Sequence, residues 1–179
     1  FWSVRRGTLK SSFKAFSFNL VSDIFILTAF ILFYNVTSCT QLDPFFAYIY
    51  SHSLSDNSQL YYGLICLVVG SAFKSVQIFG HLWLPDSMEA PVPASGLIHS
   101  ATLVSAGIYL LCRFHFLITI FHLVNILATI GAFTAAYGGI VAASQTDVKK
   151  LLAYSTMSHS GFLWFLAAIG QGYPIIIYL

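Results

Sequence analysis

Charge is what this sequence has least of. Asp, Glu, Lys and Arg make up 8% of its 179 residues, against roughly a quarter in soluble domains. Eight basic and six acidic side chains cannot cover the surface of a soluble globule when hydrophobic residues reach 58% and mean hydropathy is +0.80. That balance belongs to a polytopic membrane protein. A net charge of +2 also excludes a nucleic-acid binder, whose affinity comes from Lys and Arg clustered against phosphates. Cysteine is scarce: Cys39, Cys66 and Cys112 stand far apart with no C-x-x-C pair, which removes iron–sulfur, structural zinc and c-type haem motifs. Neither G-x-G-x-x-G nor G-x-x-x-x-G-K-[ST] occurs, so nothing marks a nucleotide site. The chain is expected to need no cofactor of its own.

What is present is a series of long apolar runs. A bilayer core of ~30 Å takes ~20 apolar residues in a helix, and five stretches qualify, at about 12–36, 60–84, 94–112, 116–144 and 150–170. They lack the period-2 alternation of barrel strands. The fold class expected is therefore all-α, a polytopic transmembrane helix bundle of about five spans in a single membrane domain over 1–179. Residues 37–59 read as a polar loop. Alternate connections lie on alternate sides, so Arg5, Arg6, Lys10, Lys149 and Lys150 share one side, with Arg113 alone on the other. Positive charge collects on the cytoplasmic or matrix side. Pro85, Pro91 and Pro93 cannot continue a helix, since each removes a donor and clashes with the preceding turn. They are read as ending the second span in a re-entrant or capping loop. The chain begins Phe1-Trp2 and ends within an apolar run, and reads as a piece of something larger. Its 17 Phe and 10 Tyr suit an AT-rich, organellar gene.

Polar groups inside the spans narrow the function. A charge at mid-bilayer costs at least ~2.5–3.5 kcal/mol, so it requires a partner, a hydrated cavity or a task. Lys74 lies too far from either end of its run to snorkel. On continuous helical spacing Gly70, Lys74, Gln77 and His81 form one polar stripe. An amine is suited to carrying protons, because burial makes its charged form easier to discharge. Asp23, with Asn19 one turn earlier, is read as a charge that tunes a neighbouring lysine. His99, with Ser95 and Thr102 on its face, can pass a proton between its two nitrogens. Lys14 lies near the start of its helix, from where it reaches the interface, and it joins the candidate proton path. So does His159, with Ser155 one turn before it. His115 and His122 stand near helix ends and read as structural, and Lys149 and Lys150 as topology anchors. Gly131, Ala135, Gly138 and Gly139 read as small residues for close helix packing.

Three segments carry a resemblance. Val69-Gly-Ser-Ala-Phe-Lys-Ser-Val-Gln77, His81-Leu-Trp-Leu-Pro-Asp-Ser-Met-Glu-Ala-Pro-Val-Pro93 and Leu97-Ile-His-Ser-Ala-Thr-Leu-Val-Ser-Ala-Gly107 resemble subunit 5 of NADH–ubiquinone oxidoreductase, the antiporter-like family of respiratory complex I. Gln145-Thr-Asp-Val-Lys-Lys-Leu-Leu-Ala-Tyr-Ser-Thr-Met-Ser158 is similar to the same family's next signature. The likeness runs from about Phe1 to Gly170. It implies a proton-translocating module of the complex I membrane arm in the mitochondrial inner membrane, with NADH oxidation and ubiquinone reduction elsewhere in the complex. It places Lys74 on a helix broken near mid-membrane, His99 as the bridging histidine of the next helix, and Asp23 as the acid of an Asn-Arg-x-Gly-Asp motif. Here that motif reads Asn19-Leu-Val-Ser-Asp23, so Leu20 replaces arginine and Ser22 replaces glycine. His159 stands where the family usually has Gln. The resemblance further implies a glutamate on the helix before Phe1 and more His and Lys beyond Leu179. Other membrane-arm subunits, and chains completing the subunit at both ends, are the expected partners besides lipid.

The nearest rival is the large subunit of multisubunit cation/proton antiporters. That family tends to carry lysine at the place of Ser105 and to lack the second basic residue of Lys149-Lys150. A non-pumping membrane scaffold is a rival of another class, disfavoured because it would gain by losing Lys74, Asp23 and His99. A haem-binding bundle would need two histidines facing each other at matched depth.

Overall fold

The computed structural model describes residues 6–39, 41–52, 57–78, 80–89, 95–96 and 102–170. Among them are eight helices and no strand. They are α1 (Arg6–Thr37), α2 (Leu42–His52), α3 (Ser58–Lys74), α4 (Trp83–Ser87), α5 (Leu103–Arg113), α6 (His115–Ile120), α7 (Val124–Ala143) and α8 (Val148–Ile169).

Two antiparallel helix pairs make the frame. In the first, α3 runs back along α1, and glycine sets the distance between them. A β-carbon at Gly63 would sit 2.7 Å from the Phe33 ring, and one at Gly70 would sit 2.7 Å from Ile26 Cγ1 and 3.0 Å from the Ser22 carbonyl. In the second, α7 and α8 approach backbone to backbone at Gly131 and Gly138, as small residues there predict, whereas Gly139 faces open space. A β-carbon at Gly131 would lie 2.7 Å from the Phe165 amide nitrogen, and one at Gly138 would lie 2.8 Å from that of Ser158. Helix α5 joins the pairs by packing on both α3 and α8, while α4 touches α1 and α8. A β-carbon at Gly107 would fall 2.8 Å from the Ser71 carbonyl, so α5 presses directly on the end of α3.

Length and composition fit α1 and α7 to cross a membrane. In each, only 22% of the most apolar window is buried, whereas the core helix of a soluble protein would be covered. Phe13, Leu27, Phe133 and Ile140 all face outward, an arrangement stable against lipid or another apolar surface and costly in water. At 32 residues, α1 is ~48 Å long at 1.5 Å per residue, more than a ~30 Å hydrocarbon core requires.

Several boundaries differ from those read in the sequence. The run at 60–84 is not one helix, because α3 stops at Lys74 and the chain resumes helical form only at Trp83. Pro85 lies inside α4 rather than terminating a longer helix. Gly70, Lys74, Gln77 and His81 therefore do not form one helical stripe. The run at 116–144 is also divided: α6 ends at Ile120, His122 takes φ +54°, and α7 starts at Val124. The stretch read as a polar loop contains α2, which buries Phe45 and Ile49. Phe33, Phe45 and Phe46 gather around Phe114 with ring centroids 5.6–6.2 Å from it, and this aromatic cluster holds α2 to the frame. Gly170 ends α8 in the left-handed conformation at φ +86°, where glycine meets no steric penalty.

Candidate functional site

Helix α3 ends in a way that gathers polar groups in an apolar interior. A helix terminus leaves its last carbonyls without intrahelical partners, and here side chains supply them. The Ser75 hydroxyl donates to the Ser71 carbonyl at 2.6 Å, and the Trp83 indole N–H donates to the Phe73 carbonyl at 3.2 Å. The Gln77 backbone N–H also reaches back to the Ala72 carbonyl at 3.0 Å, and the Gly80 backbone N–H closes a turn on the Gln77 carbonyl at 2.7 Å. Val76 takes φ +60°, a conformation that β-branched residues adopt only when their surroundings enforce it. The break is thus a built feature, with Ser75, Val76 and Gln77 all buried in it.

Lys74 is the last residue of α3. The partial negative charge of the helix C-terminus favours its ammonium, and a carboxylate completes the environment: Lys74 Nζ lies 2.6 Å from Asp23 Oδ1. The lysine side chain is 20% exposed and the aspartate 57%, so the pair sits at the edge of the packed interior. Where the Asn-Arg-x-Gly-Asp pattern would offer arginine, this chain has the outward-facing Leu20, and Lys74 supplies the counter-charge to Asp23. Ser22, in place of glycine, is fully buried and donates to the Gly70 carbonyl at 2.8 Å. This seats α1 against α3 one turn before Lys74. Asn19 Nδ2 donates to the Ala15 carbonyl at 2.9 Å, and its Oδ1 is buried without a partner.

A second ion pair joins α1 to α4. Lys14 Nζ meets Asp86 Oδ2 at 2.6 Å, so this lysine is tied to α4 as well as lying near its helix start. Beside it the Ser11 hydroxyl reaches Glu89 Oε2 at 3.4 Å. Asp86 and Glu89 face Asp147, Lys149 and Lys150 across an open cavity of about 420 Å³. Lys150 pairs with Asp147 at 3.4 Å.

Gln77 is completely buried and makes the longest-range polar contact of the break. Thr134 Oγ1, on α7, lies 2.7 Å from Gln77 Oε1. Next to it, His81 holds the Ile78 carbonyl through Nδ1 at 2.6 Å and sets its ring edge-on to Tyr137 at 5.4 Å. His159 lies on an exposed face of α8 and is not part of the Lys74–Asp23 pair. His99 lies outside the described residues. Among the candidates read from sequence, then, Lys74 and Asp23 meet, Gln77 closes the break beside them, and Lys14 finds a separate partner. Sequence reasoning did not single out Thr134, Asp86 or Ser75. The only signal at Thr134 is a hydroxyl set among small residues, and it gives no partner. Among the described residues no group of three or more His, Cys, Asp and Glu is placed to hold a metal ion.

Residues 1–179 match the family described as NADH:quinone oxidoreductase/Mrp antiporter, TM. NADH-ubiquinone oxidoreductase chain 5 of Paramecium tetraurelia is 48% identical over 188 residues, covering 100% of this chain and 33% of that protein. The chloroplastic NAD(P)H-quinone oxidoreductase subunit 5 of Flaveria ramosissima is 40% identical, covering 96% and 24%. Among solved structures, the Mrp complex from Dietzia sp. DQ12-45-1b superposes with a TM-score of 0.84 at 30% identity, covering 94% of this chain and 19% of that one. The chain spans about a quarter to a third of the length of these curated relatives. A family match over its full length, with a closely superposable fold, makes this chain a member of the NADH:quinone oxidoreductase/Mrp antiporter transmembrane family.

Proposed function

We propose that this chain forms part of an antiporter-like subunit that translocates protons in the membrane arm of respiratory complex I. The observation that carries the reading is the ammonium of Lys74, held at the end of an interrupted helix 2.6 Å from the Asp23 carboxylate. An unpaired charge inside a membrane span is expensive, while a pair at the edge of the packed interior can hold a proton and give it up. A proton arriving on Lys74 is retained while Asp23 faces it. When the carboxylate is drawn away, Lys74 releases that proton toward His99. Gln77 holds the break beside Lys74. Lys14, bound to Asp86, and His159, on the outer face of α8, are the outlying members of the path.

The remaining assignments go with this reading. The chain is a non-redox component of a proton-translocating NADH:ubiquinone reductase and holds no cofactor of its own. Its partners are other membrane-arm subunits and the remainder of the subunit, whether in the same polypeptide or in separate ones. Its place is the mitochondrial inner membrane, supported by the naming of ubiquinone in the Paramecium relative, where the chloroplastic one is named for quinone alone. The test is Lys74→Ala in the assembled complex. Coupled proton translocation should be abolished with the subunit still inserted. An unchanged proton-to-electron ratio in vesicles carrying that variant would refute the role.

The likeness to the Mrp complex favours a second reading, a cation/proton antiporter subunit. Proton flux driven by a sodium gradient, without NADH or quinone, would support it over the first.

A further inference from the structure

The break in α3 is tied to the second helix pair by one buried hydroxyl. Thr134 is fully buried in the middle of α7, and its Oγ1 has two acceptors in reach: Gln77 Oε1 at 2.7 Å and the Gly131 carbonyl at 2.8 Å. The direction of the Gln77 contact follows from the other end of that amide. Gln77 Nε2 lies 3.3 Å from the Ser75 carbonyl, and a carbonyl can only accept, so the nitrogen faces Ser75 and the oxygen faces α7. Thr134 is therefore the donor. If it donates elsewhere, Gln77 Oε1 becomes a buried acceptor deprived of this partner, which disfavours the present geometry of the break. The Gly131 carbonyl gives the hydroxyl an alternative acceptor, so the contact can open without orphaning Thr134 itself.

We propose that Thr134 is a positioning residue. By donating to Gln77 it fixes the backbone of 75–77, and so holds the end of α3 where the Lys74 ammonium meets Asp23. The inference rests on the reading of Lys74 as a proton relay. It makes Thr134 a releasable tether between the two helix pairs: donation to Gln77 holds the break in place, and donation to Gly131 frees it.

The experiment uses the complete complex in membrane vesicles, with its assembled content and proton-translocation rate measured together. Thr134→Val keeps the shape and removes the donor. It should lower translocation at least threefold at unchanged content, while Thr134→Ser, which restores the hydroxyl, should stay within twofold of wild type. Gln77→Leu should reproduce the fall, and the double variant should fall no further, because the two side chains act through one contact. Normal rates with Thr134→Val, equal rates for serine and valine, or independent losses that multiply would each overturn the proposal. If the valine variant does not assemble, Thr134→Ala is compared with Thr134→Ser in the same way: serine working where alanine fails supports the tether, and equal rates overturn it. Lys74→Ala, measured alongside, separates the two claims. Normal translocation there removes the relay itself, whereas an inactive Lys74→Ala beside a normal Thr134→Val removes only the positioning role.

Discussion

Asp23 and its neighbours show how one charge is balanced by a residue from another helix. With Leu20 where the family pattern has arginine, the carboxylate depends on Lys74, which meets it at 2.6 Å. Asp23→Asn leaves that ammonium without its counter-ion. Proton translocation should fall at least tenfold, with Asp23→Glu retaining part of it, as read by acidification of vesicles against electron-transfer rate. Ser22 works differently. Its hydrogen bond to the Gly70 carbonyl joins two helices and carries no charge, so Ser22→Ala should cost about 0.5–1.5 kcal/mol and appear as a lower thermal midpoint of the solubilised complex. Lys74 and Asp23 were legible in the sequence because a charge inside an apolar run is conspicuous. Thr134 and Asp86 were not, since their significance lies in partners 57 and 72 residues away, and no local pattern encodes such a contact.

At the level of helices, apolar periodicity located the bundle and blurred its interruptions. The segment after Lys74 remains rich in apolar residues (Val76, Ile78, Leu82), so hydropathy runs on through a backbone that has stopped being helical. The same holds around His122. Residues 42–52 were masked in the opposite sense, because Asp43 and Pro44 hide a short helix anchored by Phe45 and Ile49. Small residues were more informative: Gly131 and Gly138 predicted close packing and meet the backbone of α8, although Gly139 does not. Gly131→Ala would bring its new methyl to 2.7 Å from the Phe165 nitrogen and 2.8 Å from the Gly161 carbonyl, neither of which can rotate aside. Overpacking of this kind costs about 1–3 kcal/mol, so the variant should accumulate less of the assembled complex. Gly139→Ala, where a β-carbon meets nothing within 4 Å, should accumulate normally. Blue-native electrophoresis of the two variants decides.

The whole molecule has two unlike ends. Lys149, Lys150, Asp147, Asp86 and Glu89 surround the cavity at one, and the phenylalanine cluster with α2 forms the other. The basic residues gathered at the first end mark it as the side of the membrane on which positive charge collects. With the native cysteines replaced, Thr146→Cys should react with a membrane-impermeant thiol reagent from that side, and Gln41→Cys from the opposite side. Labelling of both from one side would overturn the topology.

Between those ends α1 presents Lys14 and Asp23, nine residues apart, to Asp86 and Lys74 on the interrupted segment. The signs are reversed from one helix to the other, so with both contacts ionised the four groups are electroneutral as a set. A membrane voltage does about 2.3 kcal/mol of work per elementary charge per 100 mV, but it does no net work in shifting an array of zero total charge. Carrying all four groups together across the membrane is therefore unopposed by the voltage, whereas drawing Asp23 away from Lys74 separates opposite charges, so that step feels the field as the transferred proton does.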